Sequence, residues 1–179
     1  MQGPEAKRIA TRESWEVRPL PEARAELGFA ESYTNEEFEL IKRGLIPEEM
    51  EHKWFIFFEE PWLHFHRSWT GHGIYGVKFK TSPGSASVID SWVSREDTWK
   101  GTKTKYDRLL LKFLIDALLL GRPAKFPLPY GIPAEGSIGP YQHHISGANY
   151  QKVVPAADQA LTPSSHWVRI LNWLKMAVR

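Results

Sequence analysis

The chain predicts an α+β fold: a four-stranded antiparallel meander packed against a leucine-rich helix, with further helices toward both ends. Three observations lead there. Residues 54–94 hold a succession of aromatic and β-branched runs, "KWFIFF", "WLHFHRSW", "IYGVKFK" and "ASVIDSWVS", separated by turns containing Pro or Gly. Residues 105–120, "KYDRLLLKFLIDALLL", carry apolar side chains at helical spacing. The composition, 42% hydrophobic and 25% charged over 179 residues, lets one domain build a core without staples.

Residues 1–30 are polar, proline-punctuated and weakly periodic, and are expected to form an arm leading into a single domain over 31–179. "SYTNEEFELIKRG" predicts the first helix. Thr34 and Glu37 can close a capping box, Phe38 and Ile41 share a face, and Gly44 is the stop. "KWFIFF" is apolar on both faces, as a central strand is. In "WLHFHRSW", alternation puts Leu63, Phe65, Arg67 and Trp69 on one side and Trp62, His64, His66 and Ser68 on the other. The third strand sets Tyr75, Val77 and Phe79 against Ile74, Gly76, Lys78 and Lys80.

The main helix is expected from about Lys105 to Leu120, capped by Thr104 and ended by Gly121, with Pro123 barring continuation. Its apolar stripe of Tyr106, Leu109, Leu110, Phe113, Leu114 and Ala117 is widened by Leu111, Ile115, Leu118 and Leu119 beyond what cover on one side can bury. Residues 122–163 are rich in Pro and Gly, long for a loop and therefore expected to be functional or flexible. "SSHWVRILNWLKMAVR" predicts a terminal amphipathic helix.

The charge balance narrows the function. With 23 Lys and Arg against 21 Asp and Glu, the net charge is +2, which gives no global attraction to nucleic acid. No cysteine is present, which removes disulfides and thiolate chemistry. The first 28 residues lack an apolar leader, and the most apolar run, from Leu109, is broken by Lys112 and Asp116. A cytoplasmic protein without a membrane span is the expectation.

The chemistry concentrates in "LHFHRSWTGHG", residues 63–73. His64 and His66 share a strand face, expected to be the exposed or rim face of a half-buried sheet, and become a metal pair only if His72, Asp90, His143 or His144 adds a third ligand. No metal motif is present. Ser68 or Thr70 beside a histidine has the parts of a nucleophilic site but no nucleophile-elbow signature. The more coherent reading is an anion-binding corner. Arg67 offers a planar fork, Trp69 a stacking plane and Thr70 a hydroxyl, while Gly71 lets backbone N–H groups approach a ligand closely. His64, His66 and His72 flank it.

The first-choice function is therefore a binding or regulatory module. Its partner would be an anionic small molecule or nucleotide, or another protein. The alternative is a hydrolase or nucleotide-modifying enzyme using the His/Arg cluster on the second strand. A third class is an interaction protein working through its terminal helix. No cofactor is indicated.

The run "EEFELIKRGLIPEEMEHKWFIFFEEPWLHFHRSWTGHGIY", with "YDRLLLKFLIDALLLG" further on, resembles a family of bacterial proteins of unassigned activity. That family's core has the form "DKWFIYYED…LYFHRSWTG…IY" followed by a leucine-rich helix. The resemblance covers residues 34–121 and implies a unit made of the sheet and its helix. It supplies no catalytic roles.

Overall fold

A computed structural model describes residues 8–49, 51–97, 99, 102–128 and 145. Its central feature is an antiparallel sheet of six strands rather than four. The expected meander is its centre: β3 (Trp54–Glu59), β4 (Trp62–Arg67), β5 (Gly73–Ser82) and β6 (Ser85–Ser94) pair in sequence order. Two three-residue strands come earlier in the chain, β1 (Arg24–Glu26) and β2 (Ser32–Thr34). Both pair with the outer edge of β6, at residues 92–94 and 85–87 respectively. The stretch read as a lead-in thus contributes to the sheet.

The alternation of the sequence becomes two buried faces. On the first, Trp54 and Ile56 of β3, Leu63 and Phe65 of β4, Tyr75, Val77 and Phe79 of β5 and Val93 of β6 form one cluster. Helix α1 (Asn35–Arg43) contributes Phe38 and Ile41, and helix α2 (Thr104–Leu114) contributes Tyr106, Leu110, Leu111, Phe113 and Leu114. Burying a large apolar side chain fully contributes roughly 1.5–3 kcal/mol, so this face dominates the stability.

The second face is covered by the N-terminal arm. Ala10 packs with Phe55 and Phe57, joined by Val17 and Ile46. Arg12 lies with its guanidinium carbon 5.3 Å from the Phe57 ring centre. Backbone bonds fasten the arm at intervals: Ala10 N–H donates to Arg43 (2.8 Å) and Arg18 N–H to Gly71 (2.9 Å).

Two bulges adjust the expected alternation. The register slips between Phe65 and His66, leaving Ile74 as an extra residue on β5. Ile74 consequently joins the main cluster beside Tyr75, not the face opposite it. A second slip, between Lys78 and Phe79, leaves Ile89 unpaired and exposed.

Helix α1 forms as its caps dictate. Thr34 accepts from Glu37 N–H, and the Glu37 carboxylate accepts from Thr34 N–H (2.9 Å). Gly44, at φ 67°, ends the helix and leaves no room for a Cβ, which would sit 2.2 Å from the Ile56 carbonyl oxygen. Helix α2 differs from expectation at both ends. Lys103 is its N-cap, while the Thr104 hydroxyl accepts from Arg95 (3.3 Å). After Leu114 the chain widens into a π-turn, Ile115–Leu119, before Gly121 at φ 63°.

Among the described residues no helix is long and apolar enough to cross a membrane. The terminal amphipathic helix, and the 122–163 segment beyond Leu128 apart from Ile145, lie outside the described residues.

Candidate functional site

The residues singled out in 63–73 divide between the two faces of the sheet. Arg67 ends β4 on the main-core face, opposite Trp54 in the ladder. Its guanidinium carbon lies 5.0 Å from the centre of the Trp54 ring, and Nη1 donates to the Ile145 carbonyl (2.9 Å). Burial pushes its pKa down to about 10. The buried acid Asp107 is paired with Arg95.

Trp69 and Thr70 lie beyond the strand in a tight turn and are exposed, Trp69 by 58%. Gly71 N–H donates to the Arg67 carbonyl (2.8 Å), and Arg67 N–H to the His72 carbonyl (2.9 Å). The turn thus spends the Gly71 N–H on closing itself. Gly71 has φ 71°, and a Cβ there would meet Arg18 N (3.1 Å) and Glu16 O (3.2 Å). Its value is close approach by the arm, not by an anion. Ser68 is committed as well, its hydroxyl donating to the His52 carbonyl (2.6 Å).

Lys53 was not foreseen at this corner. Its ammonium lies 3.7 Å from the centre of the Trp69 ring. Burial, then repulsion from Arg67, lowers its pKa, while Glu51 opposes the shift. Two cations therefore share one partly desolvated aromatic rim.

His64 and His66 occupy the opposite face, 5% and 0% exposed, where an exposed or rim position was the ordinary expectation for the pair. Both rings stack on Phe57, at 5.0 and 5.6 Å between centroids. His64 is held to a pKa of about 4, mainly by burial and then by His66 and Arg12. Burial lowers His66 too, against the bond between its Nδ1 and the Gly71 carbonyl (2.8 Å). The His/Arg cluster of the enzymatic reading is therefore not assembled at one place. Among the described residues no three His, Asp or Glu side chains could hold a metal ion. His143 and His144 lie outside them.

His72 turns elsewhere, its Nδ1 3.9 Å from a Glu96 carboxylate oxygen. It borders an open cleft of about 460 Å³ lined also by Glu22, Ala23, Arg95 and Asp97.

A polar centre beneath the first face escaped the sequence reading. The Asp107 carboxylate, fully buried, accepts from five donor groups. Tyr75 hydroxyl and Trp99 Nε1 reach Oδ1 (both 3.1 Å), while Arg95 Nη1 and Nη2 (both 3.0 Å) and Thr102 hydroxyl (2.8 Å) reach Oδ2. Burial raises its pKa against the pull of those donors, and burial beside Asp107 raises Tyr75 well above the usual tyrosine value. The geometry is that of a clamp joining α2 to the loop after β6. The one sequence signal was an aspartate on the apolar stripe of a helix, one turn before Leu110 and Leu111.

Comparison of the chain with protein-family models, with curated proteins and with solved structures returned no match.

Proposed function

We propose that the chain is a recognition module for an anionic ligand, a phosphate- or carboxylate-bearing small molecule of nucleotide type, bound at the rim of Lys53, Arg67, Trp69 and Thr70. One observation carries this reading: the Lys53 ammonium lies against the exposed Trp69 indole and close enough to Arg67 for the two charges to repel. An anion at the rim relieves that repulsion, and the Lys53 ammonium with the Thr70 hydroxyl gives it donors, the Arg67 charge adding attraction from behind. The exposed indole supplies a plane for a base or another flat group. His64 and His66, buried under the arm, take no part. Gly71 and His72 serve as the frame of the turn.

The test is calorimetric titration of the full chain with ATP and with inorganic phosphate at low salt, followed in parallel by tryptophan fluorescence. Saturable binding is expected, weakened at least tenfold, as an order of magnitude, by Lys53→Met and by Trp69→Leu. Absence of saturation with both probes at millimolar concentration, or binding in both variants as tight as in the wild type, overturns the reading.

A further inference from the structure

The buried histidines have a different role. His64 and His66 lie between the sheet and the arm, their ring centres 6.4 Å apart, in a layer built from Phe55, Phe57 and Ala10. Pro21 lies over Gly73 beside the His66 ring, so that a Cβ on Gly73 would be 3.3 Å from both. Each imidazole leaves one nitrogen, His64 Nδ1 and His66 Nε2, buried without a hydrogen-bond partner. A carbonyl can only accept, so the contact with Gly71 fixes the hydrogen of His66 on Nδ1 and the lone pair on Nε2. A buried polar atom without a partner is costly, and a buried charge more so. The site therefore accepts these side chains only as neutral rings.

We propose that the His64–His66 pair is a proton-operated latch on the N-terminal strap, residues 10–21, which lifts from the sheet when the pair takes up a proton. The surroundings favour that outcome. Arg12 of the strap opposes charge on both rings, and His72, beside Glu96, opposes it on His66. Glu59, at the end of β3, is the carboxylate that faces His64, and it is already held by Arg12 through paired bonds (3.0 and 2.5 Å). From β5 and β6 this face presents Lys78 and Asp90, cross-strand partners, and Trp92 carrying Arg24 against its ring. Protonation thus adds charge to a layer whose nearest anion is already paired.

The energetics agree in size. Lowering His64 from the ordinary 6.5 to about 4 while the strap is closed means that acidification across this window shifts the equilibrium toward opening. The shift is a few hundred-fold for that ring alone, with His66 acting in the same direction. The strap is light enough to respond as a unit, because it holds one 3-10 turn, Arg12–Ser14, and no strand, and is fastened at separate points. Release also strips two bonds from the corner, Trp15 Nε1 to the Ser68 carbonyl (2.8 Å) and Arg18 N–H to the Gly71 carbonyl (2.9 Å). The latch stands whether or not that corner binds an anion.

Hydrogen exchange on the full chain between pH 7.5 and 4, corrected for the intrinsic pH dependence of exchange, tests it. The Ala10 and Arg18 amides should lose protection by on the order of a hundredfold below pH 6.5, relative to the Phe65 and Tyr75 amides of the central ladder. In His64→Phe, which keeps a ring against Phe57, that loss should shrink to tenfold or less. Nitrogen chemical shifts of the wild-type imidazoles should titrate together with strap opening, a readout that needs no variant. The proposal fails if the strap stays protected to pH 4 or if strap and ladder open together. It fails equally if His64→Phe opens at the wild-type pH.

Discussion

Trp54 and Arg67, opposite each other across the β3–β4 ladder, donate to the same acceptor, the main-chain carbonyl of Ile145 (2.7 and 2.9 Å). The guanidinium also covers the indole it faces. Arg67 is therefore part of the fold as well as of the proposed rim. Arg67→Ala should lower the unfolding free energy by about 2–3 kcal/mol, the combined worth of a charged hydrogen bond and a desolvated cation–π contact, read by urea denaturation. Lys53→Met, which removes the ammonium from the exposed Trp69 ring, should cost less than about 1 kcal/mol by the same measurement.

The Asp107 clamp makes a second prediction. All five of its contacts come from donors, so Asp107→Asn turns an amide N–H₂ toward at least one of them and leaves Arg95 without its counter-charge. A loss of about 3–5 kcal/mol is expected from breaking a buried pair by removing one partner. Thermal unfolding followed by near-ultraviolet dichroism checks it, because Tyr75 and Trp99 report on the same centre.

Acid should weaken the fold through His64 with a defined sign. The unfolded ring takes up its proton near pH 6.5, the folded one only near pH 4. Between those values the unfolded state binds more protons, so stability falls as pH falls, by roughly 1.4 kcal/mol per pH unit, and levels off below pH 4. Denaturant midpoints across that range check the slope, which should flatten in His64→Phe.

Gly76 lies under the Trp92 indole on the second face. A Cβ there would come within 2.2 Å of Nε1 and 2.3 Å of Cε2, so Gly76→Ala forces the ring out and with it the Arg24 contact. The expected cost is about 1–3 kcal/mol of overpacking. Trp92→Leu in the Gly76→Ala background should recover part of it, a non-additivity that a double-mutant cycle reads directly.

What the sequence made legible was local. Thr34, Glu37 and Gly44 encode the ends of α1 by themselves, and the aromatic and β-branched runs of 54–94, bounded by Pro and Gly turns, encode the four long strands. Strands β1 and β2 were not legible, because three residues carry no period. They exist through the unpaired edge of β6, which lies some fifty residues away or more. The alternation in β4 placed His64 and His66 on one face correctly, but treating imidazole as polar put that face at the rim. In its neutral form the ring stacks like an aromatic, and the arm that buries it has no pattern of its own. Lys53 joined the corner only through the β3–β4 hairpin, which brings Ser68 N–H back to the Lys53 carbonyl (3.1 Å).

The short strands bear on how the protein behaves at high concentration. Along β6, the main chain from Ala23 to Thr34 supplies partners almost continuously: β1 and β2 at either end, with Leu27 N–H donating to Ser91 and Val88 N–H to Glu31 between them. On the far margin, Leu45 bridges Ile56 through reciprocal bonds (2.7 and 2.9 Å). A sheet whose longest border is already stitched to its own chain offers a neighbouring molecule little backbone on which to add a strand. Cutting out residues 23–34 would uncover that border and should turn a monodisperse solution into one that grows fibrils.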